Sequence, residues 1–150
     1  MPLDVSNTVS WVGQSSEFSC WAAAATMMLG WRDSVCYASD ADIRARYKDM
    51  GGDGTDPEED VRLALGQGMP VEAAACRTPQ GWADLLARGP IMTTIPGHYI
   101  VVASIRGDGT AAGTEAYVLD PARGEAWMPY TNLEQLYEAD PASIMMQYPH

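Results

Sequence analysis

Residues 20–31, CWAAAATMMLGW, leave this chain few ways to fold. Ala22 to Ala25, then Met27, Met28 and Leu29, are strong helix formers with no charge among them, so the stretch reads as a buried helix that other elements must cover. Ser15, Ser16 and Ser19 are cap-type residues just ahead, which sets the helix start at Ser19 or Cys20; its end falls between Gly30 and Asp33. Cys20 then sits in the first turn. There, unpaired backbone N–H groups and the positive end of the helix dipole favour a thiolate, the reactive form of cysteine. Gln14 lies upstream on a segment too polar and serine-rich for helix, and its amide can fold back beside the sulfur as an oxyanion donor, with the Cys20 backbone N–H completing the hole. Taken alone, a cysteine in an alanine-rich helix is more often a small buried hydrophobe, Trp21 a core residue and Gln14 a surface one. A nucleophile needs partners elsewhere in the chain.

At 150 residues, 47% of them hydrophobic, the chain is one domain over 1–150 with enough apolar material for its own core. Twenty acidic residues against nine basic give a net charge of −11, which speaks against nucleic acid and anionic membrane surfaces as partners. The opening MPLDVSNTVSW has neither a basic nor an apolar signal region, so no secretory signal peptide is expected, and no run is long enough for a transmembrane helix. Three cysteines, Cys20, Cys36 and Cys76, make an odd count. Separate reduced thiols are expected, with Cys36 and Cys76 in packing roles and a Cys36–Cys76 bridge as the alternative.

Residues 1–13 read as an extended arm. After the first helix, Ser39-Asp40 is an N-cap signal leading into a helix over Ala41 to Tyr47. Asp53, Asp56, Glu58, Glu59 and Asp60 lack the ligand spacing of a calcium loop; Pro57 to Asp60 is an acidic first helical turn, and no metal or cofactor is expected. A strand over Val71 to Cys76 and a helix over Thr78 to Arg88 follow. Then the pattern turns to strands: Ile91–Ile95, Tyr99–Arg106, Glu115–Asp120 and Glu125–Met128, with a helix over Asn132–Glu138 and a closing strand over Ser143–Tyr148. Helices first and an antiparallel sheet second make an α+β fold.

There are two histidines, and His150 is the terminal one. His98 follows Pro96-Gly97, which bends the chain, and opens the strand HYIVVASI on the face of Ile100 and Val102. An imidazole on an apolar face needs a hydrogen bond. Asp120 ends the next long strand with the parity of Val118 and Ala116, and Pro121 holds it extended, so a hairpin can bring it to His98. The carboxylate would take one ring nitrogen and leave the other for Cys20; as the residue before a proline, Asp120 also reads as a plain turn residue.

Gln14, Cys20-Trp21-Ala22-Ala23, Gly89-Pro90, Gly97-His98 and Asp120-Pro121, in this order over residues 11–128, resemble the papain-like cysteine peptidases, and among them the short bacterial effector and toxin domains. The resemblance implies a papain-like fold, its N-terminal helical half bearing the nucleophile at a helix N-terminus and packing on a C-terminal antiparallel sheet. It also implies Cys20 as nucleophile, His98 as general acid and base, Asp120 as its orienter and Gln14 as oxyanion donor, with Trp21 in substrate contact. This chain departs from larger relatives in three ways. Glu17 stands where they have a disulfide cysteine, Asp120-Pro121 replaces an asparagine followed by an aromatic shield, and few residues separate Cys20 from His98, so a pared-down sheet and a shallow cleft are expected.

The expected activity is cleavage of a protein substrate by a thiol endopeptidase through a thioester acyl-enzyme. Acyl transfer or peptidoglycan amide hydrolysis by the same residues, or a catalytically dead binding module, are the alternatives. The resemblance further implies delivery by a specialised secretion system into the cytoplasm of a target cell, a cognate immunity protein that occludes the cleft, and a monomeric enzyme.

Overall fold

The computed structural model describes residues 2–16, 19–47, 63, 66–74, 77–139 and 143–149. Among the described residues, seven strands form one sheet, antiparallel at every pairing: β1 (Leu3–Ser6), β2 (Val71–Ala73), β3 (Ile91–Ile95), β4 (His98–Gly107), β5 (Thr114–Asp120), β6 (Gly124–Pro129) and β7 (Ile144–Met146). Their order is β2-β7-β3-β4-β5-β6, with β1 added to β4. The helices described are α1 (Cys20–Asp33), α2 (Ala41–Arg46), α3 (Pro79–Leu86) and α4 (Tyr130–Glu138).

Strand alternation sorts the core into two layers. Tyr99, Val101, Ala103 and Leu119 lie under α1, whose alanines are wholly buried; small side chains there let the helix backbone come close to the sheet. Ile100, Val102, Ala116 and Val118 face the other way, toward Trp82 and Leu86 of α3 and Leu133 and Tyr137 of α4. A bulge between Val102 and Ser104 shifts the alternation by one, and Ile105 thereby stays on the α3 and α4 side.

The α+β, papain-like fold class expected from the sequence is the one observed, and the helix and strand positions agree to within a few residues. The sheet carries helices on both faces, since α3 and α4 cover the face that α1 leaves open. Two readings need correction. The N-terminal arm is a paired strand along residues 3–6, opposite Ser104 to Gly107. Cys36 is an exposed free thiol 3.0 Å from Ser10 Oγ, so it plays no packing role. Glu17, Cys76, His150 and the acidic stretch from Asp53 to Asp60 lie outside the described residues. No helix among the described residues is long and apolar enough to cross a membrane.

Candidate active site

Cys20, His98 and Asp120 each stand where an element starts or stops. Cys20 is the first residue of α1, buried at the end of the helix. Ser19 occupies the N-cap, but its hydroxyl makes no capping bond; it is turned to the preceding loop, between Ser16 N at 3.0 Å and Ser16 O at 3.2 Å. The helix start is therefore set by backbone alone, Ala22 N and Ala23 N both donating to Ser19 O at 3.1 Å.

His98 is the first residue of β4, directly after a two-residue turn joining it to Ile95 of β3. Proline suits the first corner of that turn by its locked φ, and Gly97 takes the left-handed second corner at φ 66°. Asp120 is the last residue of β5. The Val101–Leu119 pair, continued by one residue, sets Asp120 beside Ile100 and diagonal to His98 on one face. The side chains meet there, His98 Nε2 to Asp120 Oδ1 at 2.7 Å. The same carboxylate oxygen accepts from Ala122 N at 2.8 Å, so Asp120 is both the turn residue and the partner of the imidazole. The second hydrogen-bond partner of the ring is Cys20. With Nε2 taken by Asp120, Nδ1 is the nitrogen left to the sulfur.

The histidine and aspartate side chains are 19% and 16% exposed, enclosed enough for charge to matter. Burial is the largest influence on His98 and lowers its pKa. The hydrogen bonds to Asp120 and Cys20 and the charges of both more than reverse it, raising the imidazole from 6.5 to about 9. Burial likewise pushes the Asp120 carboxyl up, yet the His98 and Ala122 hydrogen bonds, with His98 and Arg123 as nearby positive charges, leave it below its ordinary value. At neutral pH the pair is an imidazolium beside a carboxylate.

Gln14 lines a cavity of about 600 Å³ together with His98 and Asp120. The remaining wall is largely apolar, from Ile95, Ile100, Val118 and Met128, with Arg123 and Glu125 as charged members. Gln14 Nε2 donates to Ser16 O at 2.9 Å, and Gln14 N donates to Pro121 O at 3.0 Å, so the loop carrying the amide is tied to the turn that follows Asp120. Trp11 strengthens that tie by donating from Nε1 to Asp120 O at 2.8 Å.

Trp21 departs from its expected place. It is 5% exposed and packs edge-on against Tyr47 with ring centroids 6.4 Å apart, a core position with no surface to offer a substrate. Two further contributors carry no sequence signal that ties them to the site: Trp11, and Asp40, whose carboxylate binds the loop through Ser15.

A family model described as "Papain-like cysteine protease AvrRpt2" matches residues 2–136 of the chain. No curated protein matches it. Among solved structures, a double glycine motif protease from an AMS/PCAT transporter, in complex with its leader peptide, superposes with a TM-score of 0.63 over 98% of this chain and 99% of that one, at 17% identity. UfSP from C. elegans superposes with a TM-score of 0.64 over 99% of this chain but only 34% of its own, at 14% identity. At such identities these two likenesses speak for the fold alone.

Proposed function

The chain belongs to the papain-like cysteine proteases, and from that membership we propose that it is an endopeptidase working through Cys20, His98 and Asp120, with Gln14 in the oxyanion hole. The observation that carries the reading is the His98 ring paired through Nε2 with Asp120 at 2.7 Å, with its charge further favoured by Cys20.

The roles follow from the charges. His98, protonated at neutral pH, is the counter-charge for a Cys20 thiolate. The sulfur attacks the scissile carbonyl carbon, and the carbonyl oxygen becomes an oxyanion that the Cys20 backbone N–H and Gln14 Nε2 receive. The bond from Gln14 Nε2 to Ser16 O fixes the orientation of that amide. Nδ1–H of His98 protonates the leaving amine as the C–N bond breaks, giving a thioester. The now neutral imidazole then takes a proton from water, whose oxygen attacks the thioester carbon; the sulfur leaves as thiolate and His98 is again charged. Asp120 keeps Nε2 as the donor to itself and Nδ1 toward the sulfur throughout.

The substrate is a protein, read in part by the cavity beside His98 and Asp120. The sequence resemblance to effector and toxin domains extends the proposal to a target inside another cell and to an immunity protein covering the cleft. The experiment is mapping of new protein termini in cells expressing the wild type or Cys20→Ala, with purified His98→Ala as a second control. Termini present only with wild type support the reading. Equal sets of termini, or turnover by either variant, refute it.

A further inference from the structure

Asp40 precedes α2, where an aspartate ordinarily accepts a hydrogen bond from the first turn of its own helix. It makes no such bond. Its carboxylate, in a residue only 1% exposed, reaches across to the loop ahead of α1 instead, accepting from Ser15 N on Oδ2 at 3.1 Å and from Ser15 Oγ on Oδ1 at 2.6 Å. The Ser15 oxygen in turn accepts from Arg44 Nη1 at 2.7 Å, which brings a positive charge from the next turn of α2 to the buried group. Burying a carboxylate is costly unless it is satisfied this fully, and α2 draws no cap from it. What the carboxylate holds is the residue adjoining Gln14. On its other flank Gln14 is held by Pro121 O, in the turn beyond Asp120. The backbone that carries the Gln14 amide is thus tied at two places, to the turn beyond β5 and to the residue that precedes α2.

We propose that Asp40 is a positioning residue for the oxyanion donor Gln14, acting through Ser15. The proposal rests on the role given to Gln14 above. Both oxygens of Asp40 accept from the two donors of one serine, so Asp40→Asn can keep the bond from Ser15 N but must reverse the one with Ser15 Oγ, which already accepts from Arg44, and Ser15→Ala removes the hydroxyl.

Two small reagents separate positioning from general loosening. With p-nitrophenyl acetate the Cys20 sulfur adds to the ester carbonyl carbon, the C–O bond breaks and nitrophenolate leaves with the electron pair, so the burst passes through an oxyanion. With iodoacetamide the sulfur displaces iodide from carbon, and no oxyanion forms. Asp40→Asn and Ser15→Ala are each expected to slow the nitrophenolate burst about 10- to 100-fold while iodoacetamide alkylation stays within about twofold of wild type. Ser15→Thr, which keeps the hydroxyl, restores the burst, and Gln14→Ala with Asp40→Asn is no slower than Gln14→Ala alone. The proposal is overturned if both reagents slow together, if Asp40→Asn adds its full effect on top of Gln14→Ala, or if Asp40→Asn changes neither rate. Should Asp40→Asn fail to fold, Ser15→Ala decides by the same pattern of rates. A wild type inert to both reagents would instead refute the nucleophile assignment, and this proposal with it.

Discussion

His98 is where the chemistry of the site becomes measurable, because its charge depends on a neighbour that can be changed without changing shape. Asp120→Asn retains a side chain of the same size at 2.7 Å from Nε2 but removes the negative charge that, with Cys20, outweighs burial. The imidazole should fall from about 9 toward its ordinary 6.5, and the alkaline limb of the kcat/KM profile should move to lower pH as the rate drops. A profile that lost amplitude but kept its alkaline limb would show that Asp120 does not hold the charge. Gln14 fails in a different way. On the role proposed for it, Gln14→Ala removes a donor to an oxyanion that exists only after attack, and it should cost about 10²- to 10³-fold in kcat. Alkylation of Cys20 should be unaffected by it, since the His98 partnership is untouched. Equal losses in both measurements would remove Gln14 from the oxyanion hole.

Among the elements, α1 shows how packing overrules propensity. Gly30 lies inside the helix, where replacement by alanine ordinarily stabilises by about 1 kcal/mol. A Cβ built there would lie 2.7 Å from Val35 O, a backbone oxygen of the turn that closes the helix, and Val35 N already donates to Gly30 O at 2.9 Å. Neither group can move without opening the other's bond. Gly30→Ala should therefore destabilise, by about 1–3 kcal/mol, measured as a lower urea midpoint at unchanged slope; a raised midpoint would mean that this turn gives way freely. The same scale explains what could be read in advance. The places of Cys20, His98 and Asp120 at the ends of α1, β4 and β5 are legible because each adjoins a local signal, an alanine run, a Pro-Gly corner and an Asp-Pro strand end. Asp40 was legible only as an N-cap, because that signal is the same whether the carboxylate bonds its own helix or a serine 25 residues away. Strand β1 was read as an arm for a related reason: its pairing with Ser104 to Gly107 is decided by the far end of the chain. The burial of Trp21 follows from its alanine-rich helix, and only the family resemblance points it to substrate; Cys36 differs because its exposure depends on what packs against it and leaves no trace in its immediate neighbours.

For the whole molecule, the charges of His98 and Asp120 should appear in the dependence of stability on pH. The protein carries a net charge of −11, so titration of many carboxylates contributes a broad background shared by wild type and point variants. The difference in unfolding free energy between wild type and Asp120→Asn removes most of that background and isolates the pair. His98 has a raised pKa in the folded state, so its contribution is present in full below 6.5, the unfolded value, and is lost as pH rises through about 9. Asp120 has a lowered pKa, so its contribution is present above 3.8 and is lost as pH falls through its lower folded value. The advantage of wild type over Asp120→Asn should thus be widest between these limits, from about pH 4 to 6.5, and should close on both sides, on the alkaline side by about pH 9. Urea unfolding of both proteins at half-unit pH steps measures it. A difference that stayed constant from pH 6 to 10 would mean that no imidazolium is bound to Asp120 in the folded protein, and the charged pair would have to be replaced by a neutral hydrogen bond in the mechanism.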